Sequence, residues 1–569
     1  MASPGAPQDC AGHDLIVVGS GAAGLACAVT AAWHGLRVAL LERTGVIGGT
    51  AAWSGGWIWA PRNPVVRRAG RDEPEEAPRA YLKSLLGNRF SEARVGAFLR
   101  AAPEMVAFFE TNTALQFEPG LAIPDTYGHL PGAGTGGRSV IARPYDARGL
   151  GSAISILRKP PRETTFFGMT IQAGPDLKAF MTSTRSARSL AHVTRRILRH
   201  LSDLAFHGRG MDLRNGNALV ARLLRSALDL SVDIRTGVDV AALVVDGARV
   251  SGVRLADGSV LRAGSGVVLA CGGFPHDPVR RKATFPRDPE HLTLAVPSAR
   301  GDGLRLAEKI GAWIDTSTAR PAAFCPVSAV PWPDGTEGRF PHIIDRGKPG
   351  VIGVLANGRR FCNEGLGYHD YVEALLGAVP EEEPAVSWLV CDHRFLRRYG
   401  LGVVRPQPVP YRHWIRRGYL KTGRSIGELA DACDIDPHGL AETVKTWNQG
   451  AEQGEDPRFH RGTTPYMRLQ GDPDQKPNPC VAPITRAPFY AVRVVPGSFG
   501  TFAGLATDEF ARVLRDDLSV IDGLYAAGTD SASVFGGFYP AGGINLGPAL
   551  TFGFIAGRHA AGREPSHAP

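Results

Sequence analysis

Residues 14–42 read DLIVVGSGAAGLACAVTAAWHGLRVALLE. Leu15-Ile16-Val17-Val18 is a short all-apolar run, the pattern of a strand buried on both faces of a parallel sheet. Gly19-Ser20-Gly21-Ala22-Ala23-Gly24 follows at once. Leu25 to His34 then reads as an alanine-rich helix ended by Gly35, and Val38 to Leu41 is a second apolar run closing on Glu42. Strand, glycines, helix, strand and acid stand in the register of a βαβ dinucleotide-binding unit. In such a unit Gly19 allows the tight turn, Gly21 lets the backbone approach a pyrophosphate, and Gly24 lets helix pack on strand. The helix start offers unpaired N–H groups and partial positive charge to the phosphates. Glu42, 18 residues beyond Gly24, is placed to accept from both hydroxyls of a ribose.

NAD and FAD share this fingerprint, and the following segment separates them. Gly48-Gly49-Thr50-Ala51-Ala52-Trp53-Ser54-Gly55-Gly56 comes directly after the second strand. A second glycine-rich loop there suits a long, bent ligand whose far end also needs backbone contact, which describes FAD better than NAD. GxGxxG occurs once, so no separate nicotinamide site is expected. Farther along, Val238–Val244 and Val250–Leu255 read as a hairpin around Asp246-Gly247, and residues 266–273 (GVVLACGG) as another buried strand running into glycines. Gly523-Leu524-Tyr525-Ala526-Ala527-Gly528 reads as strand and turn. Residues 542–548 (GGINLGP) open a helix over Ala549–Ala560 with proline in its first turn. That helix start is a second positive dipole end, suited to the pyrimidine edge of a flavin. Residues 286–477 lack this grammar and are richer in proline and arginine. The predicted organisation is an FAD-binding part over 1–285 with an insertion around 100–215, a substrate domain over 286–477, and a returning FAD-binding part over 478–569.

Composition narrows the class. The chain has 569 residues, more than one hydrophobic core accommodates. Its 70 glycines follow no period, and with 43 % apolar and 21 % charged residues it is neither collagen nor disordered. The 64 Lys+Arg against 55 Asp+Glu give a net charge of +9, dispersed along the chain. That suits an anionic ligand, and no zinc-finger, RRM or basic-zipper pattern points to nucleic acid. Eight cysteines without a CxxC pair read as thiols in a reducing compartment, and no metal-ligand spacing occurs. The N-terminal residues show no basic stretch leading into an apolar run, and no window approaches eighteen apolar residues. The expectation is a cytoplasmic protein with at most peripheral membrane contact.

GSGAAG, ERTGVIGGTAAWSGGW, GVVLACGGF, NGRRFCNE, GLYAAGTDSAS and FYPAGGINLGPALTFG occur in the order found in the fumarate reductase/succinate dehydrogenase flavoprotein family. Within it the chain most resembles the 3-ketosteroid dehydrogenases. The resemblance implies an α/β fold: a Rossmann-type (GR2-like) FAD-binding domain with an inserted α+β substrate-capping domain. It places Gly19, Ser20, Gly21, Ala23, Gly24, Glu42, Arg43, Gly49, Thr50, Ser54, Gly55, Gly56, Val240, Gly272, Gly528, Asp530, Asn545 and Leu546 at the cofactor, with Asp530 meeting the ribityl chain. Ala51 and Ala52 stand where succinate dehydrogenases carry a flavin-linking histidine, so FAD is expected to be held non-covalently.

Two departures separate the branches. Fumarate reductases carry an arginine proton donor four residues after the glutamate of their NE motif, where this chain has Tyr368 after Glu364. Their histidine-bearing segment is replaced by Phe538-Tyr539-Pro540. Ketosteroid dehydrogenases have tyrosines where Tyr368 and Tyr539 stand and a glycine at Gly543. The resemblance therefore implies that the Tyr539 hydroxyl and Gly543 N–H hold a substrate carbonyl. Tyr368 would take a proton from the adjacent carbon while hydride leaves the next carbon. The implied activity is introduction of a carbon–carbon double bond beside the ketone of a small cyclic substrate, with electrons passing to an external acceptor. The alternative is an FAD-dependent reductase of an activated alkene. The ketosteroid enzymes also pair their base with a tyrosine from an earlier loop. Here the aligned position is Thr126 with Tyr127 next to it, so either the loop presents Tyr127 or the chain handles a different substrate or a weaker relay. Trp53, Trp57 and Trp59 are expected around the flavin or pocket, and His369 as a neighbour of the base.

Overall fold

In the computed structural model, which describes residues 12–288 and 290–563, the opening unit consists of the strand His13–Val18, the helix Ala22–Trp33 and the strand Val38–Glu42. The helix begins three residues before the alanine-rich run that predicts it, because the extended backbone at Gly21 is its cap. Five strands lie parallel in the order Asp233–Thr236, Val38–Glu42, His13–Val18, Val260–Leu269, Val520–Ala526. The chain runs to one side of His13–Val18 first and returns on its other side. That reversal is a topological switch point, where open α/β sheets take their ligands. Val17 pairs with Leu40 and with Val268, so the turns that end the two central strands emerge together. Only glycine fits the first of them: Gly19 has φ +105°, and a Cβ there would stand 2.1 Å from the Ala270 carbonyl oxygen.

The hairpin Val240–Asp246 and Arg249–Leu255 forms as the sequence predicts and pairs with the first half of Val260–Leu269. Over the other face, the fingerprint helix packs on the C-terminal helix Leu546–Ala560. A Cβ on Gly553 or Gly557 would lie 2.4 Å from the Ala23 carbonyl or 2.7 Å from that of Cys27. Small residues thus let the two backbones touch.

A second sheet runs Glu337–Pro341, Ala322–Pro331, Phe489–Thr501, Ser387–Asp392, Val351–Val354, antiparallel along this path, and Phe489–Thr501 also takes Leu292–Thr293 in parallel and Lys421–Gly423 in antiparallel pairing. Its central strand, 489–501, lies beyond residue 477, where the sequence reading closes the substrate segment. The cut at 478 therefore separates the sheet from its own middle strand. Pro496, Gly497 and Gly500 interrupt the apolar pattern there, which hides a thirteen-residue strand.

Beneath this sheet the NGRRFCNE segment is a buried ion cluster. Arg360 is bidentate to both Glu364 and Asp456, and Arg461 reaches Glu364 at 3.2 Å. Two cations meet two carboxylates, the balance a buried cluster requires. The guanidinium of Arg346, fully buried, donates to the carbonyls of Glu364 and Leu366. These bonds fix the loop that delivers Tyr368.

Candidate active site

One cavity of about 1980 Å³ opens at the switch point and extends between the two sheets. Its near end is the fingerprint. Gly19, Ser20, Gly21, Ala23, Glu42, Arg43, Gly49, Thr50, Ser54, Gly55, Gly56, Val240, Gly272, Gly528, Asn545 and Leu546 all line it. Gly24 does not, because it serves packing: a Cβ there would lie 1.9 Å from the Gly19 oxygen. The Glu42 carboxylate is already engaged, accepting from Thr44 N and Oγ1 at 2.9 Å and from the Ser20 hydroxyl. A ribose would have to take over one of those hydroxyl donors. Arg43 reaches the cavity, but its guanidinium pairs with Asp239 and Asp302 at 3.1 and 2.7 Å.

Asp530 departs from the expectation. It is fully buried and absent from the cavity wall, and its carboxylate accepts from Cys271 N at 2.6 Å and Gly273 N at 2.8 Å. Those two N–H groups flank Gly272, so Asp530 shapes the turn instead of meeting a ribityl chain. Burial raises its pKa.

At the far end two tyrosines meet. Tyr368 opens the helix Tyr368–Ala378, which lies on the strand Ala322–Pro331, while Tyr539 comes from the loop before the C-terminal helix. Tyr368 Oη donates to Tyr539 Oη at 2.7 Å, and the rings pack edge to face at 4.9 Å. Both are at least nine-tenths buried. Burial pushes both phenols above their ordinary range, so both are protonated at neutral pH. Because Tyr539 accepts from Tyr368, its own hydrogen is available to another acceptor. Gly543 lies four residues on, with φ +104° and a backbone pressed against Trp57–Trp59. No acceptor among the described residues meets its N–H. The Tyr539 hydroxyl and the Gly543 N–H are thus two donors without an acceptor of their own on the wall of one cavity.

The pentapeptide Gly367-Tyr368-His369-Asp370-Tyr371 sorts itself by helical geometry. His369 is buried, accepts from Phe324 N at 3.1 Å, and is held neutral, its pKa driven down to about 3 by burial. Tyr371 turns into the core and shares a hydrogen bond with Ser387. Tyr127, expected at the site, is not on the cavity wall; its hydroxyl donates to Asp370 at 2.7 Å. Thr126 is buried with its N–H on the Pro540 carbonyl, so the loop stays in register and does not slide to present Tyr127 to Tyr368. Of the tryptophans, Trp53 and Trp57 line the cavity, whereas Trp59 is buried against Phe98 and donates to Asp125. Tyr466 and Phe499 also line it, and Phe499 packs on the Tyr368 ring at 5.6 Å. Neither belongs to a sequence motif that could have announced it.

The residues fit FAD. Glycine at 21 and 49 leaves the floor free of side chains, with Gly21 Cα 3.6 Å from a Cβ placed on Gly49. Helix starts at Ala22 and Leu546 face the same cavity, one at each glycine-rich turn. Comparison with known proteins agrees. Residues 14–546 match the model of the FAD binding domain family. The chain belongs to that family. It is an FAD-dependent oxidoreductase. It is 38 % identical to 4-oxocyclohex-2-ene-1-carboxylate 5-dehydrogenase of Sinomonas cyclohexanicum, over 96 % of this chain and 93 % of that one. It is 34 % identical to 3-oxosteroid 1-dehydrogenase of Mycobacterium tuberculosis, over 96 % and 98 %. The crystal structure of 3-ketosteroid delta1-dehydrogenase from Sterolibacterium denitrificans in complex with 1,4-androstadiene-3,17-dione superposes with a TM-score of 0.89 at 33 % identity, covering 97 % of this chain and all of that one. A flavocytochrome c3 fumarate reductase shares the fold, with a TM-score of 0.63 at 21 % identity.

Glu42→Ala removes the buried acid at the adenosine end and frees Ser20 and Thr44. FAD binding should weaken by about 2–3 kcal/mol, the scale of hydrogen bonds to a charged group. Flavin fluorescence released on gel filtration measures this, and wild-type retention would remove Glu42 from the site.

Proposed function

We propose that this protein dehydrogenates a cyclic ketone, forming a carbon–carbon double bond next to the carbonyl. The observation that carries the reading is the Tyr368–Tyr539 hydroxyl pair at 2.7 Å, with the unpaired Gly543 N–H on the wall of the same cavity, which begins at the FAD fingerprint. When bound, FAD supplies a two-electron acceptor. The carbonyl oxygen would accept from Tyr539 and Gly543, which stabilises negative charge as the neighbouring C–H bond weakens. Tyr368, one hydrogen bond away from the clamp, is the group able to receive that proton. A buried neutral phenol is a poor base on its own, so it must pass its own hydrogen on as it accepts one. Tyr368 also stands where the reductases' cation would be, which disfavours the alkene-reductase alternative: a phenol cannot anchor a second carboxylate.

Relatives named for a steroid and for a single-ring keto acid lie at similar identity, so the substrate class is the cyclic ketone common to both. An external electron acceptor, non-covalent FAD and a cytoplasmic setting belong to the same reading. Supporting it, Ala51 lines the cavity and the seven cysteines of the described residues are unpaired. No helix among the described residues is long and apolar enough to cross a membrane. The test is incubation with an oxidised dye and 3-oxosteroids or 4-oxocyclohexanecarboxylate, followed by mass spectrometry. A product lighter by two hydrogens is expected. Unchanged ketones, with fumarate reduced by the same protein, would reverse the reading.

A further inference from the structure

The helix Ala187–His207 is turned inside out. A surface helix ordinarily buries its apolar stripe and gives its polar face to water. Here the buried residues are Val193, Arg196, His200 and Asp203. Polar contacts hold that face down: Arg196 donates to Asp176 at 2.6 Å, Arg148 donates to Asp203 at 2.6 Å, and His200 Nε2 donates to the Phe167 carbonyl at 2.9 Å. The leucines point outward. Leu190, Leu198 and Leu201 are each more than half exposed, and Phe206 is 81 % exposed. Leu190, half-buried Ile197, Leu201 and Leu204 stand seven, four and three residues apart, which sets them in one stripe along a helix about 30 Å long. Phe167, on the turn between the short strands Thr165–Phe166 and Met169–Thr170, is 80 % exposed and extends the patch beside His200. An apolar surface of this kind marks a site of interaction.

The charge around the stripe has one sign. Between Thr164 and Gly208 the only acids are Asp176 and Asp203, and both are buried. Lys178, Arg185, Arg188 and Arg195 are exposed and have no ion-pair partner among the described residues, while exposed Arg199 meets Asp146 at 3.0 Å. Arg188, Arg195 and Arg199 repeat at seven and four residues, so the cations run in a line of their own beside the leucines. A second copy of this chain does not suit such a face, because a two-fold contact would set arginines against arginines. A bilayer carrying anionic headgroups answers both features: its acyl boundary takes the leucines and phenylalanines, and its phosphates take the cations. The face also adjoins the cavity, whose wall includes Lys178, Met181, Thr182, Arg185 and His192 from this helix and the helix Pro175–Thr182 before it.

We propose that the helix Ala187–His207, with the Phe167 turn, is a docking surface for an anionic membrane. The helix lies in the plane of the headgroups, with Leu190, Leu198, Leu201 and Phe206 entering the acyl boundary and Arg188 and Arg195 at the phosphates. The protein is held at the membrane surface by this one face and crosses nothing. On the cyclic-ketone reading given above, docking brings the mouth of the cavity to the phase in which an apolar ketone dissolves.

The experiment is co-sedimentation of the purified holoprotein with vesicles of phosphatidylcholine alone or mixed with phosphatidylglycerol, in the absence of substrate. Wild type should pellet with the mixed vesicles, bind the neutral ones roughly tenfold more weakly, and be released as salt rises. The double substitution Leu198→Ser with Leu201→Ser should weaken binding to mixed vesicles roughly tenfold or more, and so should Arg188→Gln with Arg195→Gln. All four side chains are exposed, so FAD content and melting temperature should stay at the wild-type level. Wild type that remains in the supernatant with both kinds of vesicle would overturn the proposal. Unchanged vesicle binding by the leucine pair would overturn insertion and leave an ionic surface suited to an acidic protein. A concentration-dependent dimer in sedimentation velocity, lost in the leucine pair, would assign the face to a second copy instead. Because no ketone is present, each outcome is independent of the dehydrogenase reading, and failure of every ketone to reduce the flavin would leave the docking surface standing.

Discussion

Tyr368→Phe should bind cyclic ketone nearly as well as wild type and reduce its flavin roughly 10²–10⁴-fold more slowly, the usual contribution of a positioned proton acceptor. The ring stays, with its edge-to-face contacts to Tyr539 and Phe499, so packing changes little. What disappears is the oxygen that receives the proton, an interaction made fully only in the transition state. The loss should therefore fall on kcat and not on KM. Equilibrium titration of the oxidised variant with substrate, set against single-turnover kinetics, separates the two. A rate within a few-fold of wild type would exclude Tyr368 as the acceptor.

Tyr539→Phe should slow flavin reduction roughly 10²–10³-fold, the cost of one donor to a developing oxyanion. Its effect differs in kind from that of Tyr368→Phe. The hydroxyl also accepts the Tyr368 hydrogen and a long 3.5 Å contact from Asn545 Nδ2, so both partners lose a neighbour. Weaker carbonyl binding is expected alongside the slower chemistry. Gly543→Ala should act on the same clamp by displacement, since a Cβ would stand 2.7 Å from Trp59 N at a φ unsuited to alanine. Rates for Tyr539→Phe equal to wild type would remove the residue from the site.

The cofactor end was legible in the sequence because its geometry admits few residues. Gly19 and Gly24 face the Ala270 and Gly19 carbonyls so closely that no other residue fits, and the same need fixes their spacing. The C-terminal helix was legible for a related reason, its glycines being required by contact with the fingerprint helix. Asp530 is not legible in this way, because an acid beside glycines reads alike in sequence whether it faces a ligand or clamps backbone N–H groups. The middle strand of the second sheet was missed because proline and glycine broke its alternation. Tyr466 and Asp370 carry no local signature. A tyrosine after a helix-opening proline and an acid in the first turn of a helix are ordinary in sequence, and only the packing of distant segments brings Tyr466 to the cavity wall and Asp370 to the Tyr127 hydroxyl.

The central claim is that the Tyr539–Gly543 clamp prepares a ketone to lose hydrogen to the bound flavin, and anaerobic mixing tests it most directly. Holoenzyme with a saturated cyclic ketone and no other electron acceptor should lose its visible flavin absorbance within one turnover, while the same ketone reduced to its alcohol should leave the flavin oxidised. A flavin that stays yellow with every ketone, yet is rapidly reoxidised by fumarate once reduced with a dye, would contradict the account.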